Sequence, residues 1–215
     1  MSTANHSPIR ILIVDDHPVV CSGLTSMLTA YAELTVMGSA ASGEEALAMV
    51  KRDPPHVILL DIRMPGMDGI DVLRALQNME APPRVIVLTS FEKDEEIYRA
   101  IRSGAQGYLL KDTTESDMIA AITVVDAGKR YIPRHIAARL ADRMMRSDLT
   151  ARELQTLELL AHGSTNKEIA KELKISDNTV RHHVNSIMDK LQVSDRTEAV
   201  ATAIRRGVLS ETEPN

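Results

Sequence analysis

Three carboxylates, a threonine and a lysine stand directly after short apolar runs of this sequence, and their types suit phosphoryl chemistry. They are Asp15, Asp16, Asp61, Thr89 and Lys111. If these side chains meet, the carboxylates repel one another unless a cation lies among them, and oxygen ligands of this kind suit Mg²⁺. A carboxylate beside Mg²⁺ can attack a phosphoryl group while an ammonium and a hydroxyl bind its oxygens. The set therefore predicts phosphoryl transfer to an aspartate.

The elements that must bring these side chains together follow from a repeated pattern in the first 127 residues. Apolar, β-branched runs alternate with segments of helical period, which is typical of buried parallel strands joined by helices. Five such units predict an open, doubly wound α/β sheet, with its chemistry outside the carboxyl ends of the strands. The predicted strands are 9–14, 34–37, 57–60, 85–88 and 108–110, and the predicted helices are 18–30, 43–51, 69–78, 94–103 and 115–127.

A second pattern begins after Gly128, where helical periods follow one another without strands. The basic stretch 134–146 predicts a linker helix, and four helices follow near 151–161, 166–173, 177–190 and 196–206. The second and third of these four are joined by a short turn, which is helix-turn-helix geometry. Capping-box spacing recurs at Ser42 and Glu45, Thr150 and Glu153, and Thr165 and Glu168, and Ser176 is a further predicted cap.

These patterns divide the chain into segments. We expect a disordered N-terminus at 1–8, an α/β domain at 9–128, a linker with a helix at 129–147, a helical domain at 148–210 and a tail at 211–215. The predicted linker helix carries four arginines, which form either a solvated helix face or a contact with the acidic first domain. They are Arg134, Arg139, Arg143 and Arg146.

The helix predicted at 177–190 separates apolar from polar side chains, as a DNA recognition helix must. Its apolar residues recur at helical spacing and face the core; they are Val180, Val184, Ile187 and Leu191. Arg181, His182, Asn185 and Lys190 point away from that core. Arginine suits guanine edges or phosphates, and asparagine suits adenine. At the start of the preceding helix, Asn166 and Lys167 are placed to bind phosphates.

The composition excludes several classes of protein. Hydrophobic residues make up 44% and charged residues 26%, as in ordinary globular proteins. Aromatic residues are only 2%, so single-stranded nucleic acid has few rings on which to stack. There is no apolar run of membrane-spanning length and no signal-peptide segment, so we expect a cytoplasmic protein. The net charge of -5 gives no support to DNA binding, which depends on the motif alone.

Residues 9–128 resemble a response-regulator receiver domain of two-component signalling. The resemblance rests on four segments, Ile11–Pro18, Leu60–Gly69, Leu88–Ser90 and Gly107–Lys111. It implies a flavodoxin-like fold with five parallel strands. It implies phosphotransfer from a histidine kinase to Asp61, with slow self-hydrolysis.

The same resemblance implies roles for the residues around the phosphoacceptor. Asp16 would bind Mg²⁺ directly and Asp15 through water, and the Arg63 carbonyl would be a further ligand beside Asp61. Thr89 and Tyr108 would form the switch pair, in which the hydroxyl moves towards the phosphoryl group and the ring turns inward. The chain departs from many receivers at Asp112, where they have a proline.

Residues 149–209 resemble the LuxR-type helix-turn-helix, and together the two resemblances indicate the NarL/FixJ architecture of transcriptional regulators. The matching segments are Leu149–Glu153, Gly163–Ala170, Ile175–Arg181 and Lys190–Val193 with Arg196. The family implies binding to double-stranded DNA, a homodimer when phosphorylated and pairing through the last helix near 197–206. The predicted DNA-binding residues are Asn166, Lys167, Thr179, Arg181, His182, Asn185 and Lys190.

Two rival functions remain at this point. Phosphatases of the haloacid-dehalogenase type also use a nucleophilic aspartate with Mg²⁺, but they need a second acid two residues later, where this chain has Arg63. We therefore expect no enzyme beyond the phosphotransfer and slow dephosphorylation of the receiver itself. The other rival is a regulator that acts through protein contacts and whose helix-turn-helix never binds DNA.

Overall fold

The computed structural model describes residues 7–90, 93–144 and 149–209. The chain divides into two compact units. The α/β unit comprises Met1–Glu92 and Ile97–Ala138, and the helical unit comprises Lys93–Glu96 and Arg139–Asn215. Within the described ranges, no helix has both the length and the apolar character that a membrane span requires.

The α/β unit is built on a five-stranded sheet in which every pairing is parallel. Its spatial order is β2-β1-β3-β4-β5, which is the flavodoxin-like order that the sequence predicts. The strands are β1 (Ile9–Val14), β2 (Leu34–Ala40), β3 (Val57–Leu60), β4 (Arg84–Thr89) and β5 (Gly107–Leu110).

The second strand is longer than predicted. Its apolar run ends at Met37, but β2 continues to Ala40 because the register shifts there: Ile11 pairs with Val36, whereas Leu12 pairs with Gly38. Met37 is therefore the extra residue of a β-bulge, beyond which the strand continues. A run of apolar residues in the sequence does not predict that the strand extends beyond a bulge.

Five helices cover the sheet, close to their predicted positions. They are α1 (Pro18–Leu28), α2 (Gly43–Arg52), α3 (Gly69–Gln77), α4 (Asp94–Arg102) and α5 (Glu115–Asp126). The capping box predicted at α2 forms only in part: Ser42 accepts from Glu45 N, but the Glu45 carboxylate accepts from Ala41 N at 2.8 Å instead of from Ser42 N. The central strands are buried completely, with Val57, Ile58 and Ile86 at 0% exposure, so the sheet is a rigid support for the loops at its edges.

The remaining helices form an all-α arrangement. They are α6 (Arg134–Met144), α7 (Ala151–Ala161), α8 (Asn166–Leu173), α9 (Asp177–Leu191) and α10 (Arg196–Arg206). Both predicted capping boxes form, at Thr150 with Glu153 and at Thr165 with Glu168. The predicted fold class, a flavodoxin-like sheet followed by an all-α helix-turn-helix region, is confirmed.

The turn between α8 and α9 has the tight geometry of a helix-turn-helix. Lys174 ends α8 in the left-handed conformation with φ 54°, and Ser176 caps α9 by accepting from Thr179 N at 3.0 Å. The core of the helical unit includes Ile169 from α8 and Val180 and Ile187 from α9, all at 0% exposure. The turn and this shared core fix α9 relative to α8.

Two of the linker arginines are not part of a simple solvated face. Within the helical unit, Arg139 Nε lies 2.9 Å from Asp94 Oδ1, and Arg143 Nε lies 2.7 Å from Glu95 Oε2. The fourth predicted member, Arg146, lies outside the described residues.

Candidate functional site

The predicted phosphoryl-chemistry residues meet because their strands are neighbours in the sheet. β1 and β3 are adjacent at its centre, and Asp61 N donates to Val14 O at 2.8 Å just beyond their last paired residues. At the other side of β3, Lys111 N donates to Thr89 O at 2.9 Å where β4 and β5 end. The carboxyl ends of four strands therefore present their polar residues at one edge.

The acidic site at this edge is a buried cluster held by one ammonium group. Asp15 and Asp61 are 2% and 4% exposed, and Asp16 is half-buried. Lys111 Nζ lies 2.6 Å from Asp15 Oδ2 and 2.8 Å from Asp61 Oδ2. The lysine thus lies between two carboxylates that would otherwise repel each other.

Burial sets the proton affinities in this cluster. Burial raises the pKa of Asp61, and the hydrogen bond and positive charge of Lys111 offset that rise only in part. Burial by itself would lower the pKa of Lys111, but its bonds to Asp15 and Asp61 raise the pKa above its ordinary value. One ammonium therefore does not fully compensate the charge of the carboxylates around it.

The loop after Asp61 is shaped by its glycines. A Cβ atom on Gly69 would lie 2.3 Å from the Asp61 carbonyl oxygen, so a side chain there would push the aspartate out of position. Asp68 caps α3 by accepting from Asp71 N at 2.8 Å. Asp68 and Gly69 therefore shape the loop that follows Asp61.

A cation fits the acidic site. Donor atoms of Asp15, Asp16, His17 and Asp61 all lie within 4.8 Å of one another. Asp15 Oδ2 and Asp16 Oδ1 are buried oxygens, with Lys111 Nζ 2.6 Å from the first and His17 Nδ1 2.8 Å from the second. Carboxylate oxygens gathered in this way are the ligands that a hard divalent cation binds. Arg63 N donates to Asp61 Oδ1 at 3.3 Å, and the Arg63 carbonyl stays a predicted ligand.

The predicted switch residues are both buried on neighbouring strands. Thr89 is 1% exposed at the end of β4, and Tyr108 is 0% exposed on β5, where it pairs with Val87. The Tyr108 ring therefore occupies the interior in this structure. Lys111 and Asp112 are joined by a trans peptide bond.

The predicted DNA-binding side chains are either exposed or half-buried. Lys167, Arg181, His182 and Asn185 are exposed. Asn166 and Thr179 are half-buried at the starts of α8 and α9. Arg181 forms an ion pair with Asp177 one turn earlier, at 2.9 Å, with its side chain 68% exposed. The four exposed residues therefore lie on the surface of the two helices that form the helix-turn-helix, α8 and α9.

Lys190 differs from the rest, because its ammonium is bound within the protein. Lys190 Nζ donates to Glu153 Oε2 at 2.7 Å, and Ser186 Oγ donates to Glu153 Oε1 at 2.6 Å. Glu153 also accepts from Thr150 N at 2.6 Å. Although burial favours the neutral acid, the bonds from Lys190, Ser186 and Thr150 lower the pKa of Glu153 to about 2.

Sequence reasoning missed this contact between α7 and α9. It identified Glu153 only as a cap for α7. One signal was available: Ser186 and Lys190 are four residues apart and flank the buried Ile187 and Leu191, so they lie beside the core face and not opposite it. His17, which contacts Asp15 and Asp16 through Nδ1, was also missed as a member of the acidic site.

Comparisons with known proteins agree with both units. The family model described as "Response regulator receiver domain" matches residues 11–123, and that described as "Bacterial regulatory proteins, luxR family" matches residues 147–203. The transcriptional regulatory protein LiaR of Bacillus subtilis is 38% identical over 210 residues, covering 94% of this chain and 100% of LiaR.

Solved structures of a two-component response regulator are also similar to most of this chain. RcsB of Salmonella enterica serovar Typhimurium, bound to promoter P1flhDC in the presence of the phosphomimetic BeF3-, matches with a TM-score of 0.72 at 25% identity, covering 91% of this chain and 98% of RcsB. A structure of two RcsB dimers bound to two parallel DNAs matches with a TM-score of 0.71, the same identity and the same coverage. On the family models and the LiaR match, this chain belongs to the NarL/FixJ response regulators, which join a receiver domain to a LuxR-type helix-turn-helix.

Proposed function

We propose that this response regulator accepts a phosphoryl group on Asp61 from a histidine kinase and thereby controls its binding to double-stranded DNA. The observation that carries the proposal is the position of Asp61, which is buried at a strand end with Lys111 Nζ 2.8 Å from one carboxylate oxygen. A carboxylate that only forms an ion pair would stabilise the fold without taking part in a reaction. Here the surrounding carboxylates leave room for a cation, so Asp61 is a nucleophile with its charge partners in place.

The chemistry assigns a task to each residue. A carboxylate oxygen of Asp61 attacks the phosphorus of a phosphohistidine, so an O–P bond forms as the N–P bond breaks and its electron pair returns to the imidazole. Lys111 donates to the transferred oxygens, and Thr89 binds one of them once its hydroxyl moves inward. Asp16, Asp61, the Arg63 carbonyl and, through water, Asp15 would hold Mg²⁺, which would neutralise charge on the transferred oxygens.

The residue two positions after the nucleophile argues against a phosphatase. Arg63 stands where such enzymes carry an acid, and it is exposed. A guanidinium stays protonated at all ordinary pH values, so it cannot act as a general base in turnover. The proposed activity is therefore a single phosphotransfer with slow hydrolysis.

DNA binding is assigned to the exposed face of α9. We propose that Arg181, His182 and Asn185 reach base edges in the major groove, while Asn166, Lys167 and Thr179 bind phosphates. Backbone N–H groups at the start of α8 support phosphate binding there. Lys190 would have to leave Glu153 to reach DNA, so we assign Lys190 to packing between α7 and α9.

A homodimer is the proposed active form. RcsB, which has the same two family domains, is found as dimers bound to DNA, and it binds a promoter in the presence of a phosphomimetic. A dimer of this kind reads a two-fold site with half-sites about one helical turn apart. We place the protein in the cytoplasm, where a regulator of this type meets DNA and its kinase.

The test compares binding to a library of genomic DNA fragments with and without a small phosphoryl donor and Mg²⁺. Wild type should enrich a two-fold site only with the donor, and Asp61→Asn should not respond to it. Asp68→Asn is the matched control, because asparagine still caps α3 and Asp68 lies outside the acidic site. Enrichment that ignores both the donor and Asp61→Asn would overturn the proposed switch.

A second arm separates DNA binding from regulation through protein contacts. Asn185→Ala should abolish the enrichment, whereas Glu158→Gln, an exposed substitution on α7, should leave it intact. If Asn185→Ala binds as wild type does, the recognition helix is not the DNA-binding surface.

A further inference from the structure

We propose that His17 is a fourth donor of the acidic site, so that this receiver binds borderline transition-metal ions more tightly than Mg²⁺ through an imidazole nitrogen. The inference rests on the proposed function, because it concerns the same cation site. It goes beyond that function by assigning a ligand to His17 and a metal preference to the protein.

The position of His17 is the first argument. Its ring nitrogen Nδ1 lies 3.0 Å from Asp15 Oδ1 and 2.8 Å from Asp16 Oδ1. Two ligand atoms about 2.1 Å from a metal and at right angles to each other are about 3 Å apart. The distance to Asp16 Oδ1 therefore suits adjacent ligand positions around a single six-coordinate ion, and Asp15, which would bind through water, lies beside them.

The local backbone holds the imidazole in that position. His17 is the N-cap residue of α1, with extended backbone angles and no side-chain cap bond, so its ring is not used to satisfy the helix. His17 N donates to Asp15 Oδ1 at 2.9 Å, which fixes the residue against the carboxylate. Its side chain is 63% exposed, so an ion and its waters can approach from solvent.

The oxygens around it are ready to bind a cation. Asp15 is 2% exposed, and Asp15 Oδ2 and Asp16 Oδ1 are buried oxygens that face Lys111 Nζ and His17 Nδ1. With Asp61, three carboxylates and one imidazole place their ligand atoms within 4.8 Å of one another. Such a set is richer in donors than a site of carboxylates alone.

The chemistry of the donor set predicts the preference. Mg²⁺ favours oxygen ligands and keeps its waters, so a nitrogen ligand adds little to its binding. Imidazole suits Co²⁺, Ni²⁺ and Zn²⁺, whose affinities for mixed nitrogen and oxygen sites also exceed that of Mn²⁺. Because Asp61 belongs to the same set, such an ion would compete with Mg²⁺ directly beside the phosphoacceptor.

The test measures metal binding by the full-length protein without any phosphoryl donor. Calorimetric titration with Co²⁺ alone and with Mg²⁺ alone would compare wild type with His17→Gln. We expect His17→Gln to weaken Co²⁺ binding by about tenfold or more and to change Mg²⁺ binding by less than about threefold. His56→Gln is the matched control, because His56 lies at the opposite end of the sheet, where its ring accepts from Arg10 N.

A spectroscopic measurement identifies the ligand directly. Pulsed electron paramagnetic resonance of the Mn²⁺-loaded protein should show ¹⁴N coupling from an imidazole in wild type and in His56→Gln, and none in His17→Gln. Equal Co²⁺ affinities for wild type and His17→Gln, or an unchanged ¹⁴N signal in His17→Gln, would overturn the inference.

One more variant distinguishes this failure from failure of the proposed function. Asp16→Asn should lose both Mg²⁺ and Co²⁺ at this site. If wild type and Asp16→Asn bind Mg²⁺ equally, the cation site of the proposed function is itself wrong. If Asp16→Asn loses Mg²⁺ while His17→Gln binds both ions as wild type does, only the role of His17 is refuted.

Discussion

Asp61 in the α/β unit and Glu153 in the helical unit are both buried carboxylates bound to a lysine, yet their proton affinities move in opposite directions. They are equally inaccessible, at 4% exposure each. The pKa of Asp61 is raised, whereas that of Glu153 is lowered to about 2. Burial disfavours both anions, but Asp61 lies deeper below the surface than Glu153, so the difference comes both from that depth and from their partners.

The partners differ in number and in the charges beside them. Glu153 accepts from Lys190, Ser186 and Thr150 N at 2.6–2.7 Å, which leaves little capacity for another ligand. Asp61 has one strong donor, Lys111, and it shares that donor with Asp15. A carboxylate with all its donors stabilises a fold, whereas one with few donors and a like charge nearby is available to a metal and a phosphoryl group.

The largest predicted change is a loss of stability of the helical unit when Glu153 is replaced. Glu153→Gln removes the anion to which Lys190, Ser186 and Thr150 N donate, which should destabilise this unit by about 3 kcal/mol. Hydrogen exchange of α7 and α9 amides in the full chain measures it, because exchange reports the opening of one unit without requiring two-state unfolding.

The matched control is the second capping-box glutamate. Glu168 occupies the same position in α8 and accepts from Thr165 N, but it is exposed and binds no lysine among the described contacts. Glu168→Gln should therefore cost much less than Glu153→Gln. Equal losses would mean that the cap, and not the bonds to Lys190 and Ser186, accounts for the role of Glu153.

A slightly smaller effect should follow from acid. Because the folded pKa of Glu153 is about 2 and its ordinary value is 4.5, its contribution is complete above about pH 5 and is lost as the pH falls towards 2. The whole contribution amounts to about 3 kcal/mol at about 1.4 kcal/mol per tenfold change in proton affinity. Exchange of α9 amides at about pH 6 and about pH 3 should show a loss of about 2 kcal/mol in wild type that Glu153→Gln lacks. A parallel decline in both proteins would contradict the assignment.

The contrast also marks what the sequence could predict. Strand ends collect Asp15, Asp61 and Lys111 because a parallel sheet brings the carboxyl ends of its strands to one edge, so an apolar run followed by a polar residue was sufficient. The two capping boxes of α7 and α8 were predictable for a similar reason, since both partners lie within one turn of a helix.

The features that escaped prediction depend on contacts that spacing does not encode. Glu153 and Lys190 are 37 residues apart, and only the packing of α7 against α9 brings them together. The β-bulge that extends β2 depends on the register with β1. The contact of the exposed His17 ring with Asp16 depends on the backbone turn after β1, which residue spacing does not encode.

The smallest expected effect, and the sharpest test of the contrast, has the opposite sign. Asp61→Asn makes the same chemical change as Glu153→Gln, but it removes a buried anion whose neutral form the fold favours. Without Mg²⁺ it should stabilise the α/β unit slightly, because burial favours the neutral form. Urea unfolding followed by tyrosine fluorescence reports this unit, because all four tyrosines lie in it. Asp68→Asn should be neutral, because asparagine caps equally well. If Asp61→Asn destabilises the unit as Glu153→Gln destabilises the other, Asp61 is a structural anion and the contrast between the two carboxylates fails.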